Sequence, residues 1–549
     1  MSLKIALHAG LSGVLAHQKQ AEVTGNNIAN VNTPGYSRQT LTVSPGKAID
    51  IGGLLLGQGV EVERVNREYD KFVAGRLVDQ SMVLGREIAK RGPLAEIERI
   101  FGIGEDSLAA EIGGFFGAWH DLSGNPGGSV EREQVIYKGE NLLDAFERME
   151  SGLVDIRKNI NESLNAEVNG INLRLQEVAA FNADIKDKQT LGYVPNTELD
   201  RRDVLLKELS EILGVQSFYS GDGQIGLQLP GGIPLVQGDR ALDFEAYYEG
   251  GDLKVRIRSG EVTLEAGRSN FDGKFRGLMD MRDEFIPELE QNLDALRYSI
   301  VIHVNAQHEA GYGLDGETGR SFFSRPPSYL NEAGFPDPSA LVLDTGVIQV
   351  NGVPITIDGS NNSLHGIRDA INAADTGVLA SVVFDGIDYH LDMTPKTKGE
   401  EILFDFSEID DFDGTTFVEA GSEEIFVALN DIRQVAAAGV TPGAPGDNVN
   451  ALALQALGNA PLIEGSRTFV GDYGRMAAAV GTETRRNAMA RDGAADTMVQ
   501  LENLRESMVG VSLEQEMINL MLFQRGFEAS SHFVQTINEM MITLINMKG

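Results

Sequence analysis

The stretch SLEQEMINLMLFQRGFEASSHFVQTINEMMITLIN, Ser512 to Asn546, decides the fold class. Within it Leu520, Phe523, Phe527, Ser530, Val534, Ile537, Met541 and Leu544 follow one another in alternating steps of three and four, and only Ser530 is polar. This spacing puts all eight on one stripe of a helix and predicts a coiled-coil seam. A core helix of a globular domain would show the same period. Position favours the seam, because the other extremity of the chain has a stripe of its own. There Leu7, Leu11, Val14, Ala21 and Ile28 keep helical spacing, interrupted at Gln18 and Gly25. Pro34 lacks an N–H and biases Thr33 toward extended backbone, so the N-terminal helix is predicted to end before Thr33-Pro34-Gly35.

Inward from the two ends, Gly127 to Val194 contains no proline, and Ile160, Leu164, Val168, Ile171, Leu175, Val178 and Ile185 repeat the three-four step. A long helix is expected there. Further helical patterns cover about 271–310 and 446–508. From 215 to 270 the period changes to two, as in Ile225-Leu227-Leu229 and Leu253-Val255-Ile257, with turns at Gly221-Asp222-Gly223 and Gly231-Gly232. This predicts a small β unit. A second break, 326–430, mixes strands near 347–357, 378–384 and 388–393 with a short helix near 363–374. The expected fold is mainly α with β-rich insertions: an elongated helical-bundle rod with terminal coiled-coil helices and two inserted β or α+β domains. The segments are 1–40, an N-terminal assembly helix; 41–214, a helical bundle completed by 271–325 and 431–507; the insertions 215–270 and 326–430; and 508–549, the C-terminal helix. Resumption of helical sequence after each insertion is what marks it as one.

A chain of 549 residues exceeds what one core organises, and about three or four domains are expected. Its 46 Lys and Arg against 81 Asp and Glu give a net charge of −35, which disfavours phosphate backbones and anionic lipid. Nucleic acid is not an expected partner. Residues 331–430 hold 19 of the acidic side chains and only three basic ones, Arg368, Lys396 and Lys398, so that insertion should be well solvated. No cysteine is present, so disulfides and thiolate metal sites are excluded. The N-terminal apolar residues are broken by His8, Ser12, His17 and Gln18, unlike a signal peptide, and no run reaches the ~18 apolar residues of a membrane span. Export is expected to proceed without a cleaved signal, and no membrane insertion is expected.

Candidate catalytic and cofactor motifs fail on context. Gly311, Gly313 and Gly316 spell G-x-G-x-x-G, but a predicted helix precedes them where a dinucleotide site needs a strand. His303 and His308 stand five apart, on different helix faces, and His308-Glu309 lacks the second His of a zinc helix. Asp315 and Glu317 do not fit an EF-hand loop, and Glu408, Asp410, Asp411 and Asp413 read as a solvated acidic turn. No catalytic residue, cofactor or metal ligand is expected, and the chain is not expected to be an enzyme.

The segment NNIANVNTPGYSRQ, Asn26 to Gln39, resembles the N-terminal signature of flagellar rod, hook and hook-associated proteins, and the Ser512–Asn546 stretch resembles their C-terminal signature. Internal segments resemble the hook-associated protein 1 family, found at the hook–filament junction, over almost the whole length. These are GQGVEVERVNREYDKFV (Gly57–Val73), FFGAWHDLSGNPGGSVEREQVI (Phe115–Ile136), ELDRRDVLLKELSEILGV (Glu198–Val215), the stretch from His303 to Phe323 that ends GLDGETGRSFF, and GDNVNALALQAL (Gly446–Leu457). Trp119 and His120 depart from the family pattern in a way that bears on packing. The stretch Val347–Met393 separately resembles a module of flagellins and filament-cap proteins.

The resemblance implies an extracellular structural subunit of the bacterial flagellum, self-assembling into a ring or tubular homo-oligomer. Residues 1–40 would pair with 508–549. Leu7, Leu11, Val14 and Ile28 on one side and Leu520, Phe523, Phe527, Val534, Ile537, Met541 and Leu544 on the other would carry assembly. Asn26, Asn27 and Asn30 beside Pro34 and Gly35 either turn the chain outward or form a plain helix-to-loop transition. The implied partners are the flagellar hook protein, a second hook–filament junction protein and a cytoplasmic export chaperone on the C-terminal helix. Alternatives are a filament or rod-type axial subunit, or a flagellum-borne adhesin or hydrolase acting through 326–430.

Overall fold

The computed structural model describes residues 2–51, 54–104, 107–325, 328–331, 334–341, 345–374, 376–384, 388–395, 401–405, 417–420, 424–463 and 465–547. The fold is mainly α-helical with β-rich insertions. In chain order the first half runs α1 (Ser2–Ala29), β1 (Gln39–Pro45), β2 (Ile49–Ile51), β3 (Leu54–Leu56), β4 (Val60–Arg67), α2 (Lys71–Ile100), α3 (Leu108–Gly124), α4 (Ser129–Thr190) and α5 (Asn196–Leu213). Seven strands follow, β5 (Gln216–Tyr219), β6 (Ile225–Gln228), β7 (Pro234–Gln237), β8 (Arg240–Ala241), β9 (Asp243–Glu249), β10 (Asp252–Ser259) and β11 (Val262–Ala266), and then α6 (Gly273–Asp280) and α7 (Ile286–Glu309). The remainder comprises β12 (Ser328–Asn331), β13 (Gly346–Val350), β14 (Val353–Ile357), α8 (Leu364–Ala373), β15 (Val378–Phe384), β16 (Tyr389–Pro395), β17 (Phe404–Asp405), β18 (Phe417–Ala420), α9 (Val449–Leu457), α10 (Phe469–Val509) and α11 (Leu513–Met547). The acidic turn at Glu408, Asp410, Asp411 and Asp413 lies outside the described residues.

Two compact units divide the chain. The first takes Met1–Gly92, Asn159–Met281 and Arg486–Gly549; the second takes Pro93–Lys158 and Arg282–Arg485. The sequence reading assigns 41–214 to a helical bundle, yet its first part forms two antiparallel ribbons, β1 with β4 and β2 with β3. Leu41/Val43 and Val60/Val62 alternate with polar neighbours, a period of two that favours strands. The helical pattern at 446–508 is likewise broken, since α9 ends at Leu457 and α10 begins at Phe469, with Pro461 and Gly465 between them.

In the first unit, α4 is fastened to the β5–β11 strands by three asparagines ten or eleven residues apart. Asn161 donates to Gly251 O (3.3 Å) and accepts from Leu253 N (3.2 Å); Asn172 donates to Phe244 O (2.8 Å) and accepts from Phe244 N (3.0 Å). Asn182 donates to Ile225 O (2.7 Å) and Gly238 O (2.6 Å) and accepts from Ile225 N (3.1 Å). Each amide offers a strand the donor and acceptor that a neighbouring strand would offer, so backbone groups facing the helix are satisfied. Phe244, Val255 and Ile257 bury the inner side of the β9–β11 sheet.

In the second unit, Phe115, Trp119, Phe322 and Phe323 form an aromatic core, with Trp119 fully buried and its ring centroid 5.7 Å from that of Phe322. His308 sits against Trp119 and Phe322. Its Nδ1 faces Arg320 O at 2.6 Å and its Nε2 accepts from Ala436 N at 2.9 Å, an arrangement for the neutral ring. Burial pushes its pKa down to about 4. The 326–430 insertion lies within this unit and has a core of its own. Ile348, Val350, Ile357, Leu364, Ile367, Ile371, Leu391 and Met393 are all essentially inaccessible there. Its strands form a β15-β16-β12-β18 sheet and a β14-β13-β17 sheet. The β13–β14 turn places Asn351 at φ +51° and Gly352 at φ +76°, left-handed positions that favour Asn and Gly.

Candidate functional site

The two chain ends meet inside the first unit, where α1 and α11 lie against each other. Their approach is set by glycine. A Cβ on Gly10 would fall 2.7 Å from Val534 Cγ2, one on Gly13 3.1 Å from Ser530 Oγ, and one on Gly526 2.7 Å from the His17 ring. Asn27 then meets Glu516. The pairings 10 with 534, 13 with 530, 17 with 526 and 27 with 516 run in opposite directions, so the helices are antiparallel. Small residues let the backbones close, and dispersion contacts follow from the proximity.

The expected stripes are only partly turned inward. Ile537 is buried, and Leu520, Phe523, Val534 and Met541 are half-buried, whereas Phe527 is 39% and Leu544 51% exposed. Gly526 takes the place facing α1 at the turn where Phe527 was expected. On α1, Leu7, Val14 and Ile28 are half-buried and Leu11 is 45% exposed, while Gly10, Ala16, Thr24 and Asn27 are the buried positions. Met517, Ile518, Met521, Leu522, Phe533, Met540, Ile542 and Ile545 remain exposed on α11, and Leu15 on α1.

At the open end of the pair is a polar clamp. Asn27, 1% exposed, donates to Gln39 O (2.9 Å) and Glu516 Oε2 (3.1 Å), and accepts from Gln39 N (2.9 Å) and the Tyr36 hydroxyl (2.8 Å). The amide is thus fully used, in the same manner as on α4. Glu516, also 1% exposed, receives Arg38 Nε on its other oxygen at 2.8 Å. Farther along, Ser37 N donates to Asp200 of α5 (3.1 Å), and Arg67 Nη1 reaches both Asp200 and Asp203 at 2.7 Å. Arg505 of α10 donates to Tyr36 O (3.1 Å), and Arg38 N to Val509 O (3.0 Å). Burial, with the charges of Asp200 and Glu516, pushes the Tyr36 hydroxyl up to about 12, which keeps it a donor. Burial also raises Asp203, against the opposing pull of Arg67.

Gly35 is held at this turn by its backbone conformation and by close packing. It has φ +78°, and a Cβ would stand 2.2 Å from Val204 Cγ2 on α5. Pro34 is exposed beside it, Asn26 is exposed, and Asn30 folds back on Asn26 through its side-chain amide (2.8 Å) and takes the Thr33 hydroxyl (3.2 Å). Asn26 and Asn30 therefore finish the helix locally, whereas Asn27 ties it to distant elements. A cleft of about 870 Å³ opens next to this turn, bounded by Gly35, Val73, Leu77, Val204 and Met508. Sequence reasoning missed Glu516, Arg38, Asp200 and Arg67. One signal was available: the α11 stripe extended one step back from Leu520 lands on Glu516, a charge at an apolar position.

Elsewhere, Gly311, Gly313 and Gly316 form a loop after α7, with Leu314 N bonded to Arg433 O and Gly313 N to Glu317 O. Asp315 pairs with Arg320 and accepts from Glu317 N. His303 is bonded to Ser299 O of its own helix. Among the described residues no group of three or more His, Asp or Glu is arranged to hold a metal ion, and no helix is long and apolar enough to cross a membrane.

Three family models match this chain. The flagellar hook-associated protein FlgK helical domain covers residues 94–323, the flagella basal body rod protein model 7–36, and the flagellar basal body rod FlgEFG protein C-terminal model 506–547. Flagellar hook-associated protein 1 of Escherichia coli K12 is 27% identical over 99% of both chains, and that of Bacillus subtilis 168 is 24% identical over 99% of this chain and 98% of its own. Over its full length the chain is similar to the flagellar hook-associated protein 1 family. A solved structure, the flagellar hook junction protein FlgK from Burkholderia pseudomallei, has the same fold, with a TM-score of 0.58 at 17% identity over 80% of this chain and all of the other. The two rod-type matches fall on α1 with its turn and on α11, the elements joined by the clamp.

Proposed function

We propose that this chain is a structural subunit of the extracellular flagellum that builds the hook–filament junction by self-assembly through its paired terminal helices. The observation that carries this reading is the second face of the pair. After α1 and α11 have packed together, Met517, Met521, Leu522, Phe533 and Met540 still face solvent. A large apolar side chain gains roughly 1.5–3 kcal/mol when fully buried, so several such residues per helix favour a further partner strongly. Scattered exposed apolar residues are ordinary; a row of them along one helix is not. The partner is the terminal pair of a neighbouring copy, repeated into a ring or tubular layer.

In this reading the hook protein lies on one side of the layer and a second junction protein on the other. Before assembly, an export chaperone covers the same face of α11. The clamp supports the reading mechanically, because Asn27 and Glu516 fix the register in which α1 and α11 present their outer faces. Immunogold labelling of intact flagella tests it: label confined to one narrow band between hook and filament is expected, and label along the filament would instead make the chain a filament subunit.

A further inference from the structure

Methionine is distributed unevenly over this chain. Among the described residues Met149, Met279, Met281, Met393, Met476 and Met498 are buried, and Met82 and Met541 are half-buried. Every exposed methionine, Met489, Met508, Met517, Met521, Met540 and Met547, lies in the C-terminal part of α10 or on α11. Three of them stand in the apolar row of α11, where Met517, Met521 and Met540 are 50%, 51% and 51% exposed. Leu513, Met517 and Met521 follow one another at steps of four, and Met540 precedes Leu544 by the same step, so these thioethers share helix stripes with exposed leucines.

Helix propensity does not account for the choice, since Leu and Met are about equal as helix formers and fill similar volumes. What methionine adds is a flexible, polarisable thioether that conforms to differently shaped partners, together with a sulfur open to oxidation. The buried methionines are shielded from an oxidant in water; those of the α11 row are not.

We propose that Met517, Met521 and Met540 form a modification site for peroxides in the unassembled chain, and that conversion of their thioethers to sulfoxides closes the outer face of α11 to a neighbouring copy, an inference that rests on assembly through that face. With hydrogen peroxide, a lone pair on the sulfur attacks one peroxide oxygen. The S–O bond forms as the O–O bond breaks, the sulfur giving up two electrons and hydroxide departing with them. The proton left on the sulfur-bound oxygen passes to hydroxide, and the products are the sulfoxide and water. A side chain that was apolar now carries a strong hydrogen-bond acceptor, and covering it with an apolar partner leaves that acceptor without a donor. Because the three side chains lie on the surface, the change leaves the chain's own cores intact.

Hydrogen peroxide applied to the purified full chain, followed by peptide masses against time, tests the chemistry. Met517, Met521 and Met540 should each gain one oxygen well before Met149, Met279, Met393 and Met476, with the thermal midpoint unchanged at that stage. Equal rates at the exposed and the buried methionines, or a fall in the midpoint with the first oxygen gained on α11, would overturn the site. The consequence is tested in cells with the triple variant Met517→Gln, Met521→Gln and Met540→Gln, in which a polar amide stands in for the sulfoxide, beside the same three changes to Leu. The Gln variant should be exported and fold with an unchanged midpoint yet lose the junction band seen by immunogold, and the Leu variant should keep more of that band. Equal bands in the two variants would overturn closure by oxidation. The double variant Met521→Asp and Leu522→Asp tells the two failures apart. If it is excluded while the Gln and Leu variants incorporate alike, assembly through the face stands and the oxidation site falls. If it also incorporates normally, the assembly reading falls and the inference with it.

Discussion

The α1–α11 pair and the 326–430 insertion use similar apolar side chains to opposite ends. In the insertion, Ile348, Val350, Leu364, Ile367, Ile371 and Leu391 close around one another until none is accessible. In the terminal pair, glycines bring the helices together, a polar clamp sets their register, and most of the large side chains of α11 face outward. A closed core is complete without a partner. An open apolar row held by buried polar bonds is what the proposed assembly requires, with the polar bonds specifying geometry and the apolar surface supplying affinity.

The comparison breaks most readily at the clamp. Glu516→Ala removes the acceptor for both Asn27 and Arg38, and losing one member of a buried charged pair costs roughly 3–5 kcal/mol. Arg38 keeps some access to water, so the low end of that range is expected. Amide exchange should show α1 and α11 opening while the insertion keeps its protection. In the insertion the corresponding change is Ile367→Ala, with a cost of about 2–5 kcal/mol in a closed core. Its effect should be confined to 328–420 as read by exchange, with α1 and α11 unaffected.

Much of the helical frame was legible. The proline-free stripe from Ile160 to Ile185 lies within α4, and the Leu520–Leu544 stripe lies within α11, since a long period of three and four is a local property that only a helix satisfies. What escaped is long-range. Asn27 bonds Glu516 across 489 residues, and Asn161, Asn172 and Asn182 meet strands 43 to 92 residues away. An asparagine in a helical pattern looks like a solvated position until the fold brings a strand backbone to it. Gly10, Gly13 and Gly526 are similar cases. They read as weak points in a helix, and only the pairing shows that they are where the helices touch.

The glycine contact gives a smaller, sharper test. Gly10→Val places a branched side chain where a Cβ alone would meet Val534 at 2.7 Å and Phe533 at 2.9 Å. Overpacking of this kind costs about 1–3 kcal/mol. Circular dichroism should show earlier melting of terminal helix, and a double change that shrinks the facing residue, Gly10→Val with Val534→Ala, should recover part of it.

The smallest effect on stability is expected where the effect on assembly is greatest. Met521 and Leu522 are 51% and 62% exposed on the outer face of α11, and surface substitutions away from caps and buried networks stay within about 0.5 kcal/mol. The decisive measurement is incorporation of the double variant Met521→Asp and Leu522→Asp into flagella, scored by immunogold at the junction beside the thermal midpoint of the purified chain. An unchanged midpoint together with loss of the junction band is the predicted result. Normal incorporation of the doubly charged variant would contradict assembly through this face, and so would a collapse of the midpoint, which would make these side chains part of the chain's own core.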